Sequence, residues 1–195
     1  MRGAVIAALL LLATSSAAAL AEEADAALPV EAVMSELAKV RAAQAHYTEL
    51  RYMAMLTQPI QTTGTMRYVA PDELERDTIL PKPTRLIVRG QEVTVEEEPG
   101  KSRVVSLDEA PEIAAIIESI RGTLAGDQAA LERYYSLSMR GTLADWQLML
   151  TPKSWRMRHI VESIQLSGQD GEVRTIETLE HNGDRTVMTV TKDSP

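Results

Sequence analysis

Cysteine is absent from all 195 residues, so neither disulfides nor thiolate-bound zinc can hold this chain together. Phenylalanine is absent too, and tryptophan and tyrosine number only two and five. Apolar burial therefore rests on aliphatic side chains and nine methionines, whose flexible thioethers suit irregular apolar partners as well as cores. Only three histidines occur: His46, His159 and His181. None has a second histidine or a carboxylate at ligand spacing on one helix face, so no metal site and no cofactor is expected. A G-x-S-x-G elbow, a P-loop and a dinucleotide fingerprint are all missing, which removes the commonest nucleophile and nucleotide chemistries. Basic stripes are missing as well. The formal charge is −8, which argues against nucleic acid and anionic membrane surfaces as partners.

No apolar run reaches the roughly 20 residues that a membrane-spanning helix needs. A shorter one, Val5 to Ala13, follows the single positive charge of Arg2. Ala19-Leu20-Ala21 then offers the small-x-small pattern of a signal-peptidase site, with Glu22 and Glu23 directly behind it. Residues 1–21 are expected to be a cleaved secretory signal. Residues 22–195 are expected to form one domain working in a periplasm.

Pro29 opens a helix in which Val30, Val33, Met34, Leu37 and Val40 recur at helical spacing. Strand-like segments follow at Tyr47–Leu56, Gln61–Val69, Leu74–Leu80, Leu86–Val88, Val93–Glu97 and Arg103–Ser106, separated by proline and glycine turns. A second helix interrupts them. Asp108 can cap it and Pro111 sits in its first turn, while Ile113, Ile116, Ile117, Ile120 and Leu124 form one stripe. Gly122 and Gly126 mark its end, and a short helical turn covers Asp127 to Arg133. Strand texture resumes at Tyr134–Met139, Trp146–Thr151, Ile160–Leu166, Val173–Leu179 and Thr186–Thr191, with Asn182-Gly183 as a hairpin turn. Nothing alternates as βαβ, so the sheet should be antiparallel. The expected fold is mainly β (α+β): an incompletely closed antiparallel β-barrel with a helical lid.

The clustered carboxylates Asp72, Glu73, Glu75 and Asp77 invite a comparison with glycosidic acid-base pairs, but a solvated turn and strand edge explains them as well. No other constellation points to catalysis. The chain is expected not to be an enzyme.

Three short motifs in order carry a family likeness. Gly64-Thr65-Met66-Arg67-Tyr68-Val69-Ala70-Pro71 is followed by Leu86-Ile87-Val88-Arg89-Gly90 and later by Leu150-Thr151-Pro152-Lys153. Together they resemble the periplasmic lipoprotein carriers called LolA, in a divergent branch. A functional arginine precedes the proline of the first motif in the best-known carriers. Here that position is Ala70, and the nearest basic residue on the strand is Arg67. The family's aromatic lining is replaced by methionine, leucine and isoleucine.

The resemblance implies a monomeric carrier for acylated lipoprotein, taking cargo from an inner-membrane export complex and passing it to an outer-membrane acceptor. A carrier of another lipid or glycolipid, or a sensor module on the same fold, stays open beside it. The implied cavity wall comprises Val33, Leu37, Met66, Tyr68, Leu86, Val88, Ile113, Ile116, Ile117, Ile120, Leu148 and Leu150. Any of these reads equally well as ordinary core, because a strand's inner face lines either in the same period.

Overall fold

Residues 29–98 and 100–192 are described by the computed structural model. The expected signal segment and the expected start at Glu22 lie outside the described residues. Pro29 stands directly before helix α1 (Val30–Leu37), whose Val33, Met34 and Leu37 are buried. Six strands follow: β1 (Ala42–Tyr52), β2 (Ile60–Val69), β3 (Glu73–Leu80), β4 (Thr84–Arg89), β5 (Glu92–Glu98) and β6 (Lys101–Ser106). A 3₁₀ turn (Leu107–Glu109) leads into α2 (Pro111–Ala125) and α3 (Gln128–Tyr134). The remainder comprises β7 (Tyr135–Thr142), β8 (Asp145–Pro152), α4 (Trp155–Arg158), β9 (Val161–Gln169), β10 (Glu172–Glu180) and β11 (Arg185–Lys192).

All eleven strands form one antiparallel sheet in the order β6-β5-β4-β3-β2-β1-β11-β10-β9-β8-β7. The chain starts at the centre and steps by hairpins to the β6 edge. One crossover carrying α2 and α3 takes it to the opposite edge, β7, and hairpins bring it back beside β1. Because β6 and β7 do not pair, the barrel stays open, as the hairpin series implied.

Local sequence explains most of the boundaries, with exceptions in β1, α2 and α4. β1 begins at Ala42 rather than Tyr47, although alanine is a poor strand former. Pairing with both β2 and β11 overrides that preference across Ala45 to Arg51. Residues 53–56 leave the strand, which ends at Tyr52. Asp108 lies inside the 3₁₀ turn, so α2 starts from Ala110 with no side-chain cap and with Pro111 in its first turn. Helix α4, four residues long, is too short to leave a periodic signature. Asp127 does cap α3, its carboxylate accepting from the Ala130 N–H at 2.9 Å.

Two closed cores flank the sheet's centre. The larger packs α1, Leu131 of α3 and Met157 of α4 against Trp146, Leu148, Leu150, Ile164 and Leu166 of β8 and β9. The smaller packs Ile117 of α2 and Leu107 against Tyr68, Leu74, Val88 and Val93 of β2 to β5. Helix α2 serves both: Ala115 and Ile116 face the first core, and Ala114, Ile117, Ile120 and Leu124 the second. Its buried Ser119 and Thr123 hydroxyls donate to the carbonyls of Ile116 and Ser119, so neither hydroxyl opposes that burial.

Tyr135, fully buried, ties α2 to β7 by donating its hydroxyl hydrogen to the Ala115 carbonyl at 3.0 Å. Burial pushes that hydroxyl up to about 12 from its ordinary 10. The raised value means its contribution is fully present below pH 10 and is lost as pH rises through about 12. Tyr135→Phe should therefore cost about 0.5–1.5 kcal/mol at neutral pH. Denaturant melts across pH 9–12 should show a shallower alkaline loss in the variant than in the parent.

Candidate functional site: a cavity between two cores

Between the two cores, where the central strands run, the inner face is not filled. A cavity of about 390 Å³ opens there under the C-terminal part of α2. The sequence dictates the gap. Ala43 and Ala45 of β1 sit opposite Tyr68 and Met66 of β2 in register, and methyl side chains leave the space that larger residues would occupy. Leu37 and Leu166 bound it on the larger core's side, Leu74 and Tyr68 on the smaller core's side. Ile120 and Leu124 of α2 contribute to its wall, with Val173 and Ile176 of β10 and Val190 of β11.

Of the residues the sequence proposed, Leu37, Met66, Tyr68 and Ile120 line this cavity. Val33, Leu148 and Leu150 lie fully buried in the larger core, with Ile116 packed beside them. Val88 and Ile117 belong to the smaller core, with Leu86 packed against it. Ile113 points outward, 47% exposed. The isoleucine stripe thus divides between two cores, a cavity and solvent. The alanines were missed because a search for large apolar residues finds what fills space, not what leaves it empty, and Val173, Ile176 and Val190 because strand alternation alone does not tell a cavity wall from core.

A 390 Å³ space is of ligand size, since small-molecule sites span about 300–1,000 Å³. An engineered cavity of about 150 Å³ admits one benzene. At that ratio of volume to carbon, this cavity holds roughly 16 carbons, the size of a single long acyl chain.

The family model for outer membrane lipoprotein carrier proteins of the LolA-like type matches residues 17–192. The chain belongs to the LolA-like family. No curated protein matches it. Among solved structures, a LolA superfamily protein from Nitrosomonas europaea is similar at 10% identity and a TM-score of 0.43, over 87% of this chain and 96% of that one. A DUF1329 family protein from Desulfovibrio piger is similar at 10% identity and a TM-score of 0.48, over 83% and 88%. The MucA/MucB complex of Pseudomonas aeruginosa matches at 13% identity and a TM-score of 0.41, over 85% of this chain and 57% of that one. At these identities the likeness concerns the fold alone.

Within this LolA-like chain, Arg67 does not take up the arginine position left by Ala70 in the first motif. It alternates with Met66 and Tyr68, and on the opposite face its guanidinium donates to Glu73 and Glu75. Glu73, Glu75 and Asp77 of the acidic cluster are bound in the same ladder. Glu75, only 7% exposed, also pairs with Arg85, Arg85 with Asp77, and Arg89 with Glu73. Burial raises the Asp77 carboxyl, and Arg85 partly offsets it. These carboxylates are cross-strand partners of arginines, not a free acid–base pair. Among the described residues no group of three or more histidines and carboxylates converges to hold a metal. The arrangement offers apolar burial and little directional chemistry.

Proposed function

We propose that this protein is a periplasmic carrier that shelters the acyl chains of outer-membrane lipoproteins in transit, with residues 1–21 as its cleaved export signal. One observation carries the reading: an apolar cavity of about 390 Å³, opening between two cores of a LolA-like fold. Each methylene exposed to water costs about 0.8 kcal/mol, so a 16-carbon chain amounts to about 13 kcal/mol. Such a cargo does not cross an aqueous compartment unprotected. An open sheet with a helix over its inner face supplies the shelter, and a helix packed by side chains alone can give way at loading and release. An inner-membrane export complex would supply the cargo and an outer-membrane acceptor would receive it. The protein itself performs no reaction in this account.

The test is mass spectrometry of the organic extract from protein isolated out of a periplasmic fraction. An acylated peptide or lipoprotein at about one per chain is expected, on a protein whose intact mass starts at Glu22. A glycolipid or other lipid would replace the cargo and keep the carrier. A lipid-free protein bound to a regulatory partner would overturn the reading.

A further inference from the structure

Six of the ten large apolar side chains left exposed among the described residues gather at one end of the sheet: Tyr52, Met55, Leu56, Ile60, Trp155 and Ile160. They stand on the β1–β2 and β8–β9 connections, on either side of the β10–β11 turn. Contacts join the three. Trp155 meets His159 edge-on at 5.4 Å, and His159 stacks on His181 of the turn at 5.4 Å. At the turn's other side, Asp184 accepts from the Ala54 N–H at 3.4 Å. The cavity is lined from the opposite end of the same strands, by Ala43 to Ala45, Gly171 to Thr175 and Thr189 to Lys192.

Charge is uneven about this end. Lys153, Arg156 and Arg158 stand around Trp155 in a stretch, residues 153–160, that holds no carboxylate. All three are exposed. Lys153 donates to the Glu132 carbonyl, and Arg158 to the carbonyls of Pro152 and Lys153. Arg156 lies over the Trp155 ring, its guanidinium carbon 5.7 Å from the centroid. No carboxylate pairs with any of them among the described residues. Glu180 and Asp184, beside the turn, are already held by Arg51. Three uncompensated cations thus adjoin exposed apolar side chains in a chain whose formal charge is −8. The charge of the whole chain speaks against an anionic membrane. The charge of this end speaks for one.

We infer that this end docks peripherally on a bilayer carrying anionic phospholipid, with Trp155, Ile160 and Met55 entering the interface and Lys153, Arg156 and Arg158 meeting the phosphates. A tryptophan ring suits the headgroup level, where its body meets apolar chains and its N–H meets water. Cations beside it add an attraction that a few apolar side chains alone do not supply. Separate apolar tips flanked by arginines suit a bilayer, which deforms around them, whereas a folded acidic partner would need a surface matched to all of them. Docking of this kind does not require the cavity to hold anything, so it stands apart from the carrier reading.

The test uses vesicles of phosphatidylcholine alone and of phosphatidylcholine and phosphatidylglycerol in equal parts. Trp146 is fully buried, so a change in tryptophan emission reports Trp155. Emission should shift to shorter wavelength with the mixed vesicles only, and the protein should float with those vesicles only. Arg156→Glu should weaken flotation at least about tenfold, Arg156→Gln less, and Trp155→Ala should weaken it too. Thermal melts should show all three variants folded. Their uptake of diphenylhexatriene, measured without vesicles, should match the parent's, because neither side chain lines the cavity. Raised salt should release the protein from the vesicles. Equal binding to both vesicle types, binding to neither, or undiminished binding of Arg156→Glu overturns the membrane assignment and leaves the carrier standing. An emission shift with polyglutamate but not with mixed vesicles assigns this end to an acidic protein, and overturns it as well.

Discussion

Replacing Ala45 with tryptophan is expected to abolish uptake of a 16-carbon acyl probe and to leave the protein at least as stable as its parent. Ala45 stands on β1 between Met66 of β2 and Lys192 of β11, with its methyl group on the cavity wall. An indole there occupies the space an acyl chain would need. The loss should exceed about 100-fold, because the excluded methylenes are worth about 0.8 kcal/mol each. Filling empty space with apolar atoms usually stabilises a fold, by about 0.5–2 kcal/mol. Binding and stability should therefore move in opposite directions. If instead the region closes into ordinary core in solution, overpacking should cost about 1–3 kcal/mol and the parent should bind nothing. A probe titration and a denaturant melt on the two proteins distinguish these outcomes.

Gly126→Val should damage the fold severely. Gly126 ends α2 in the left-handed region, at φ +66°, where a side chain costs about 1–2 kcal/mol. It also has no room. A Cβ would collide with the Met34 carbonyl oxygen and lie 2.8 Å from both the Cβ and the N of Ala38, at the end of α1. The backbone must move, and α1 must separate from α2. We expect a loss of about 2–5 kcal/mol, combining that conformational cost with the cost of overpacking. Uptake should fall as well, because Leu37 of α1 and Ile120 of α2 share the cavity wall. Gly183→Ala is the control. It has φ +86° with nothing within 4 Å of a Cβ, so urea melts should show only the conformational part.

These two positions also show what could be read before the structure. Gly126 is legible as a helix stop from its place after the isoleucine stripe, but its collision with α1 is a tertiary fact that no local pattern contains. Alternation and turn residues locate the hairpins, because each strand buries one face and breaks at glycine or proline. The order of strands follows from the long helical insertion, which leaves two runs of hairpins to meet at β1 and β11. Ala42 to Ala45 is harder. Three alanines in four residues carry no strand signature, and extended structure is imposed there by pairing with β2, joined by β11 from Ala45 onward.

The cavity is less legible than the fold. Leu148 and Leu150 alternate as a cavity wall would, yet both are sealed beneath α1 and neighbouring core residues. Met66 alternates in the same way and lines the cavity. Periodicity assigns a face, whereas packing between faces decides whether that face meets a neighbour or a void. The charge ladder of Arg67, Glu73, Glu75, Asp77, Arg85 and Arg89 is similar. The sequence shows the charges, but only cross-strand register pairs them.

A chain-length series tests the central claim most directly. Neutral alcohols of 8 to 20 carbons, titrated against the purified protein at low and high salt, should bind about fourfold more tightly for each added methylene. The gain should stop near 16 carbons, where about 390 Å³ is full. Salt should leave these affinities unchanged, because no charge takes part. An affinity independent of chain length, or no binding at any length, would contradict an acyl-chain cavity.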